Sequence, residues 1–83
     1  MPQNPCRIPL SELLTGQDAV ILAFQGGRTV INRLTSLGFT PGARVNMVQN
    51  YGRGPLIVNV RETRVALGRG EAAKLIVERG SNG

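Results

Sequence analysis

The sequence has no histidine and no tryptophan, and only one cysteine and five acidic residues among its 83 positions. Histidine is the side chain most often used as a general base and as a metal ligand. Without it, the chain cannot form the serine–histidine arrangement of a hydrolase. One cysteine and scattered carboxylates do not favour a transition-metal site within a single chain. The sequence therefore predicts no enzyme, no metal and no other cofactor.

Long apolar runs are also missing. The longest, Ala19–Phe24, is far shorter than the ~20 residues that cross a bilayer, and the N-terminus has no apolar stretch of signal-peptide length. Cys6 has no second cysteine to pair with, which fits a reducing compartment. From these absences we expect a soluble intracellular protein that does not insert into a membrane.

Aromatic residues are scarce, and arginine is plentiful. The net charge is +5, and nine of the ten basic residues are arginines spread along the chain without forming a run. A basic balance favours an acidic partner: a nucleic acid, a membrane surface or an acidic protein face. Binding of single-stranded nucleic acid relies on aromatic stacking, and only Phe24, Phe39 and Tyr51 could provide it. The composition therefore favours a protein partner over a nucleic acid.

The first half of the chain contains one strand and one helix. Residues 1–8 are polar and include two prolines, so we expect a mobile arm there, followed by a single turn with inward leucines. Asp18–Phe24 is apolar and β-branched and ends at two glycines, which is typical of a strand. Arg28–Leu37 places Val30, Leu34 and Leu37 on one face, the spacing of an amphipathic helix.

The end of this helix can be read from the residues that follow it. Gly38 occupies the position where a left-handed residue terminates a helix, and Phe39 comes next, where a contact back to Leu34 is common. Pro41-Gly42 suits a type II turn, because proline fixes φ and glycine supplies a positive φ. The sequence predicts a helix, a stop and a turn in close succession.

After residue 42 the apolar period becomes two, which is typical of half-buried strands. The strands are predicted over 43–47, 56–60, 65–67 and 75–78, with a bulge at Val48, a hairpin tip at Arg61-Glu62-Thr63 and a frayed tail over 79–83. The chain is therefore expected to be mainly β, with about five strands and one helix inserted after the first strand. Short strands of this kind suit a small antiparallel barrel, where closure removes exposed edges.

Two glycine-rich segments resemble phosphate-binding loops. Gly68-Arg69-Gly70 begins a G-x-G-x-x-A pattern, but the few residues before the last strand leave no room for the helix and crossover of a dinucleotide fold. We interpret it as a barrel corner with one helical turn. Gly52-Arg53-Gly54-Pro55 lacks the lysine and hydroxyl residue of a P-loop, and we interpret it as a loop that exposes Arg53.

What remains is a binding module. The apolar helix end at Leu37 and Phe39 lies between Arg33 and Arg44, a combination that could dock another protein. We predict these four residues as partner-binding, with Arg53 as an outlying fifth. Apolar periodicity more often marks a core face than a contact surface, so Phe39 has an alternative role inside the domain.

Several segments resemble the FeoA family, small proteins that accompany FeoB, the bacterial ferrous iron transporter. The matching landmarks, in chain order, are Leu34-x-x-Leu37-Gly38, Pro41-Gly42, Gly54-Pro55, Ala66-Leu67, and Ala73 ahead of Leu75-x-Val77. The resemblance covers residues 9–78 and implies an SH3-like barrel with a helix inserted after the first strand. Many relatives carry a more charged segment where this chain has Gly68-Arg69-Gly70.

The resemblance also implies a function. It suggests a cytoplasmic protein that docks on FeoB, at its GTP-binding domain or its membrane part, and modulates ferrous iron uptake. Two alternatives stay open at this stage: a small-barrel nucleic-acid-binding protein, favoured by the positive charge, and weak self-association through an exposed strand edge.

Overall fold

The structure is a computed structural model, and it describes residues 6–79. Its strands form one six-stranded sheet in the order β1-β6-β2-β3-β4-β5, and every neighbouring pair is antiparallel. The elements are β1 (Cys6–Pro9), a 3-10 turn (Leu10–Glu12), β2 (Asp18–Phe24), α1 (Arg28–Ser36), β3 (Arg44–Gln49), β4 (Leu56–Val60), β5 (Thr63–Leu67), α2 (Arg69–Ala72) and β6 (Leu75–Arg79). The mainly β class with one inserted helix is confirmed, and this helix follows β2.

One strand was not expected. Cys6–Pro9, part of the predicted mobile arm over 1–8, forms β1 and pairs with β6. Ile8 packs against the core, and this burial outweighs the polar, proline-rich composition. Proline is tolerated because β1 is an edge strand. The rest of the predicted arm (1–5), like most of the predicted tail (80–83), lies outside the described residues, while Arg79 belongs to β6.

A single hydrophobic core fills the inside of the curved sheet. β4 alternates buried and half-buried residues along its whole length, as expected for a strand with one face on the core. The fully buried side chains of largest volume are Phe39, Leu10, Leu13, Ile21, Leu34, Met47, Leu56, Leu67, Leu75, Val45, Val58 and Val60. Helix α1 contributes the buried Leu34, so one face of this helix packs on the core.

The end of α1 follows the predicted stop signals. Gly38 has φ +105°, its N–H donates to the Thr35 carbonyl, and the Phe39 N–H donates to the Leu34 carbonyl, both at 3.0 Å. These two bonds define a Schellman motif. Leu34 and Phe39 belong to the same core cluster. The predicted left-handed glycine is confirmed.

The next two predicted features are also present. Gly42 has φ +89°, and the Ala43 N–H donates to the Thr40 carbonyl at 2.9 Å, as a type II turn requires. The register between β3 and β4 shifts between Met47 and Gln49, which confirms the bulge at Val48.

The β4–β5 hairpin has a tighter tip than predicted. Thr63 already pairs with Val60, so the turn contains only Arg61 and Glu62, at φ 50° and 65°. Two positive φ values define a type I′ turn, which usually holds asparagine and glycine. A left-handed conformation costs an L-residue about 1–2 kcal/mol, and contacts of the Arg61 side chain help to hold it.

Candidate docking surface

Two of the predicted partner-binding residues, Leu37 and Arg44, lie at the end of the barrel where α1 stops and β3 begins. Because Val45 pairs with Val60, the next residues outward, Arg44 and Arg61, lie side by side at this end. Arg33 is in the last turn of α1, but its side chain contacts Glu71 of α2. We call Leu37, Arg44 and Arg61 the helix-end surface.

Arg61 was not predicted as a site residue. Its Nη2 donates to Thr40 Oγ1 at 2.9 Å, and its Nε lies 3.4 Å from the Gly38 carbonyl oxygen. A cation is favourable here because the last carbonyls of a helix carry partial negative charge. No local sequence pattern predicts this contact, since it joins the hairpin turn to a helix end 23 residues earlier.

Arg33 is partly committed to an ion pair. Its Nε donates to Glu71 Oε2 at 2.5 Å, with side chains 57% and 28% exposed. This hydrogen bond is the main reason why the pKa of Glu71 is lowered and the pKa of Arg33 is raised. Glu71 Oε1 lies 3.4 Å from the Gly68 N–H. Arg33 therefore brings less free positive charge to the surface than Arg44, which is exposed.

Phe39 and Leu37 occupy different depths. Phe39 is 0% exposed, so it offers no surface to a partner, and its place among the predicted contacts is corrected. As the largest buried side chain, it supports the surface from beneath. Leu37 packs against the core but is only half-buried, and its exposed part is the apolar element of the helix-end surface.

Arg53 does not join the other predicted residues. It is exposed in the loop between β3 and β4, at the opposite end of β3 from Arg44. With about 3.3 Å per residue, the five steps from Arg44 to the end of β3 cover about 17 Å. Arg53 therefore lies outside the helix-end surface.

The end near Arg53 is closed by a polar network that the sequence did not predict. The guanidinium of Arg69 donates to the Ser11 carbonyl at 3.1 Å, to Asn50 Oδ1 at 2.9 Å and to the Gly54 carbonyl at 3.1 Å. Its donors are directed at two backbone carbonyls and one side-chain oxygen of the same chain. This confirms the interpretation of Gly68-Arg69-Gly70 as a corner and assigns its arginine a structural role.

Asn50 completes this network. Its Nδ2 donates to the carbonyls of Ser11 (3.1 Å) and Leu13 (2.7 Å), while its backbone N–H donates to Thr15 Oγ1 at 2.9 Å. Oδ1 also accepts the Gly52 N–H at 3.0 Å. We call Asn50 and Arg69 the loop-end clasp, because they join three segments whose carbonyls have no strand to pair with.

Two large apolar side chains are exposed next to the clasp. Within the described residues, Leu14 (60% exposed) and Tyr51 (74%) are the large hydrophobic residues left in solvent. Of the other aromatics, Phe39 is buried and Phe24 is half-buried. The chain therefore presents one exposed aromatic ring, and stacking along a single strand of nucleic acid uses several.

Residues 6–79 contain neither a cluster of metal ligands nor a membrane-spanning helix. This part of the chain contains no group of three or more histidine, cysteine or acidic side chains that could hold a metal ion. No helix in it is both long and apolar enough to cross a bilayer.

The six curved strands around one core, with a helix inserted after β2, define an SH3-like small barrel without a metal-ligand cluster among the described residues. The FeoA domain profile matches residues 8–79. The chain belongs to the FeoA family.

Two protein relatives connect the family to ferrous iron. The putative Fe(2+) transport protein A of Methanocaldococcus jannaschii is 30% identical over 70 residues, which cover 84% of each chain. A fusion of Fe(2+) transport protein A with the Fe(2+) transporter FeoB, from Porphyromonas gingivalis, is 37% identical over 70 residues. The match covers 83% of this chain and 8% of the fusion protein.

Solved structures agree with the family assignment. A crystal structure of an iron uptake regulatory protein (FeoA) superposes with a TM-score of 0.87 at 32% identity, covering 90% of this chain and all of that one. Stenotrophomonas maltophilia FeoA complexed with zinc, described as a prokaryotic SH3 domain protein, gives a TM-score of 0.74 at 38% identity. That match covers 82% of this chain and 86% of the relative.

Proposed function

We propose that this chain is a cytoplasmic accessory protein of ferrous iron uptake that docks on FeoB and modulates it by protein–protein contact, without catalysing a reaction itself. The observation that carries the proposal is the fusion of transport protein A with FeoB in one Porphyromonas gingivalis polypeptide. Fusing two modules raises their effective concentration toward each other. Such a fusion is advantageous when the separate proteins act on one another.

The helix-end surface is the proposed contact. Arg44 is exposed, and none of its side-chain donors is bonded to another described residue, whereas Arg61 beside it keeps part of its guanidinium for its own fold. Arginine is enriched at protein interfaces, and the core of an interface is usually apolar. Leu37 supplies that apolar centre. The surface therefore fits an acidic, partly apolar patch on the GTP-binding domain of FeoB.

Arg53 is proposed as a separate, peripheral contact. Since it lies at the loop end, a partner touches both Arg53 and Arg44 only if it spans the length of β3. A loss of affinity in the Arg53→Glu variant would therefore mean that the bound partner reaches the loop end. A loss of affinity in the Arg44→Glu variant tests the central contact.

The test is an amide-shift titration of the isotope-labelled chain with the soluble GTP-binding domain of FeoB from the same source. We expect localised, saturable shifts from Leu37 to Arg44 and around Arg61. Arg44→Glu should weaken binding at least tenfold, because it replaces an attraction with a repulsion.

The matched control is Arg28→Glu, which makes the same charge change at an exposed position at the start of α1. It should change the affinity much less. No shifts at high domain concentration, or equal loss in both variants, would contradict docking through the helix-end surface.

A further inference from the structure

Strand β5 leaves one side of its backbone unpaired. The two-residue turn makes Val60 and Thr63 a hydrogen-bonded pair, and Val58 with Val65 is the next such pair. The alternate residues of β5, Arg64 and Ala66, form the non-hydrogen-bonded pairs and direct their N–H and C=O groups away from β4. Among residues 6–79, β4 is the sole strand that pairs with β5.

The side chains of β5 differ in how far they are covered. Arg64 and Ala66, on the outer face, are both exposed. Val65, on the inner face, packs against the core but is only half-buried. Leu67, further along the strand, is fully covered. Part of Val65 therefore stays outside the core, on the face where a further strand would place an apolar residue of its own.

The chemistry of the edge selects what can pair with it. Arg64 carries the single charge of β5, and within the described part of the chain its one side-chain hydrogen bond is from Nε to Asn59 Oδ1, at 3.4 Å. Ala66 is small and lies opposite the half-buried Ile57 of β4. A neighbouring strand with a carboxylate beside Arg64 and an apolar residue beside Ala66 would satisfy both positions.

We propose that the β5 edge binds an extended acidic segment of a protein partner by strand addition. The backbone of Arg64 and Ala66 supplies the hydrogen bonds, and alternate side chains of the segment give selectivity. Acidic residues of the segment lie on the outer face next to Arg64, and an apolar residue covers Val65. This site is independent of the helix-end surface and of the identity of FeoB as the partner.

A second copy of this chain is a poor occupant. The chain carries +5, and pairing two β5 edges would bring the Arg64 residues of both copies onto one short ladder. Like charges on neighbouring strands destabilise pairing. The positive edge instead favours a strand of opposite charge.

The probe is a capped synthetic peptide, acetyl-Thr-Val-Glu-Val-Glu-Val-Thr-amide, titrated into the labelled full chain. We expect saturable amide shifts at Arg64 and Ala66 and slower hydrogen exchange of these two amides in the complex. The same peptide with lysine in place of both glutamates should bind about threefold or more weakly.

Two variants make the assignment specific. Ala66→Pro removes an outward N–H while leaving the bonds to β4, as edge strands allow, and should abolish binding with the rest of the amide spectrum preserved. Arg64→Glu should reverse the preference, so that the lysine peptide binds more tightly. This reversal does not depend on how well Ala66→Pro folds.

Four results would overturn the proposal. They are equal binding of both peptides, peptide shifts confined to residues away from β5, dimerisation of the free chain through β5, and protection of the Arg64 and Ala66 amides in the free chain. The last would mean that the chain's own terminal residues cover the edge. The experiment contains no FeoB, so it can fail without affecting the proposed docking on that protein.

Discussion

The two ends of the barrel use arginine in opposite ways. At the loop end, Arg69 donates to three oxygen atoms of its own chain. At the helix end, Arg61 binds two oxygens, and exposed Arg44 makes no side-chain bond to the described residues. The same residue type is therefore structural where it meets unpaired carbonyls and available for recognition where the backbone is already satisfied.

The difference comes from how each end is closed. The helix end is closed by backbone bonds, through the Schellman motif and the Pro41-Gly42 turn. The loop end joins irregular segments around Ser11, Asn50 and Gly54, whose carbonyls need side-chain donors once they are withdrawn from water. Arg69 and Asn50 supply those donors. At the loop end, exposed Arg53 lies outside this network.

The largest expected change in the free energy of unfolding distinguishes Phe39, at the helix end, from Tyr51, at the loop end. Phe39→Ala should lower the free energy of unfolding by about 3–5 kcal/mol, since it leaves a cavity beneath the helix end. Tyr51→Ala, at an exposed position of the loop end, should stay within about 0.5 kcal/mol. Urea unfolding measures both. A similar loss in the two variants would remove the distinction between core and surface aromatics.

The next comparison tests the two uses of arginine directly. Arg69→Gln should destabilise the chain by about 1–3 kcal/mol, because carbonyls at the loop end lose their donors. Arg44→Gln should change stability by less than about 0.5 kcal/mol. Thermal unfolding of both variants under one condition gives the answer, and equal destabilisation would contradict a structural role specific to Arg69.

The left-handed residue that ends α1 can be tested by replacing glycines with alanine. Gly38→Ala should cost about 1–2 kcal/mol, because φ is +105°; the added Cβ would meet Arg61 Cδ at an ordinary 3.5 Å, so the cost is conformational. Gly70→Ala, in α2 with open space around it, should stabilise by about 0.5–1 kcal/mol. Denaturant midpoints measure both, and a neutral Gly38→Ala would argue against the left-handed stop.

The smallest effect concerns the ion pair between α1 and α2. Because Arg33 lowers the pKa of Glu71 below 4.5, the carboxylate contributes stability above that pH. The contribution is lost as the pH falls through the folded-state pKa. NMR titration of the Glu71 side chain should show this lowered pKa, and Arg33→Gln should raise it toward 4.5. Arg28→Gln, remote from the pair, should leave it unchanged.

The site was less predictable from sequence than the fold. Apolar periodicity located β2 and α1, and the residues Gly38, Pro41 and Gly42 located the turns, because these signals act over a few neighbouring positions. The predicted grouping of Arg33, Leu37 and Arg44 used the same neighbouring positions; Leu37 and Arg44 lie at one end, whereas the Arg33 side chain contacts Glu71 of α2. Arg61 and Arg69 were missed because their partners are distant in sequence, and no local pattern encodes such contacts.

Two predictions made from local composition were wrong. Prolines and polar residues suggested an arm where β1 forms, because pairing with β6 depends on a strand almost seventy residues later. Phe39 was predicted as a contact from its position beside arginines, yet it faces the core. Whether an apolar residue at a helix end turns inward is decided by what packs against it.

By itself, the sequence determined the alternation of the strands, the length and stop of α1, the tight turns and the surplus of positive charge. Each of these is a property of neighbouring residues: periodicity, permitted φ values and side-chain charge. The tertiary structure alone decided which arginines are engaged by the fold, which strands form the edges of the sheet and where the exposed arginines lie. Those outcomes depend on hydrogen bonds and strand pairing between residues that only folding brings together.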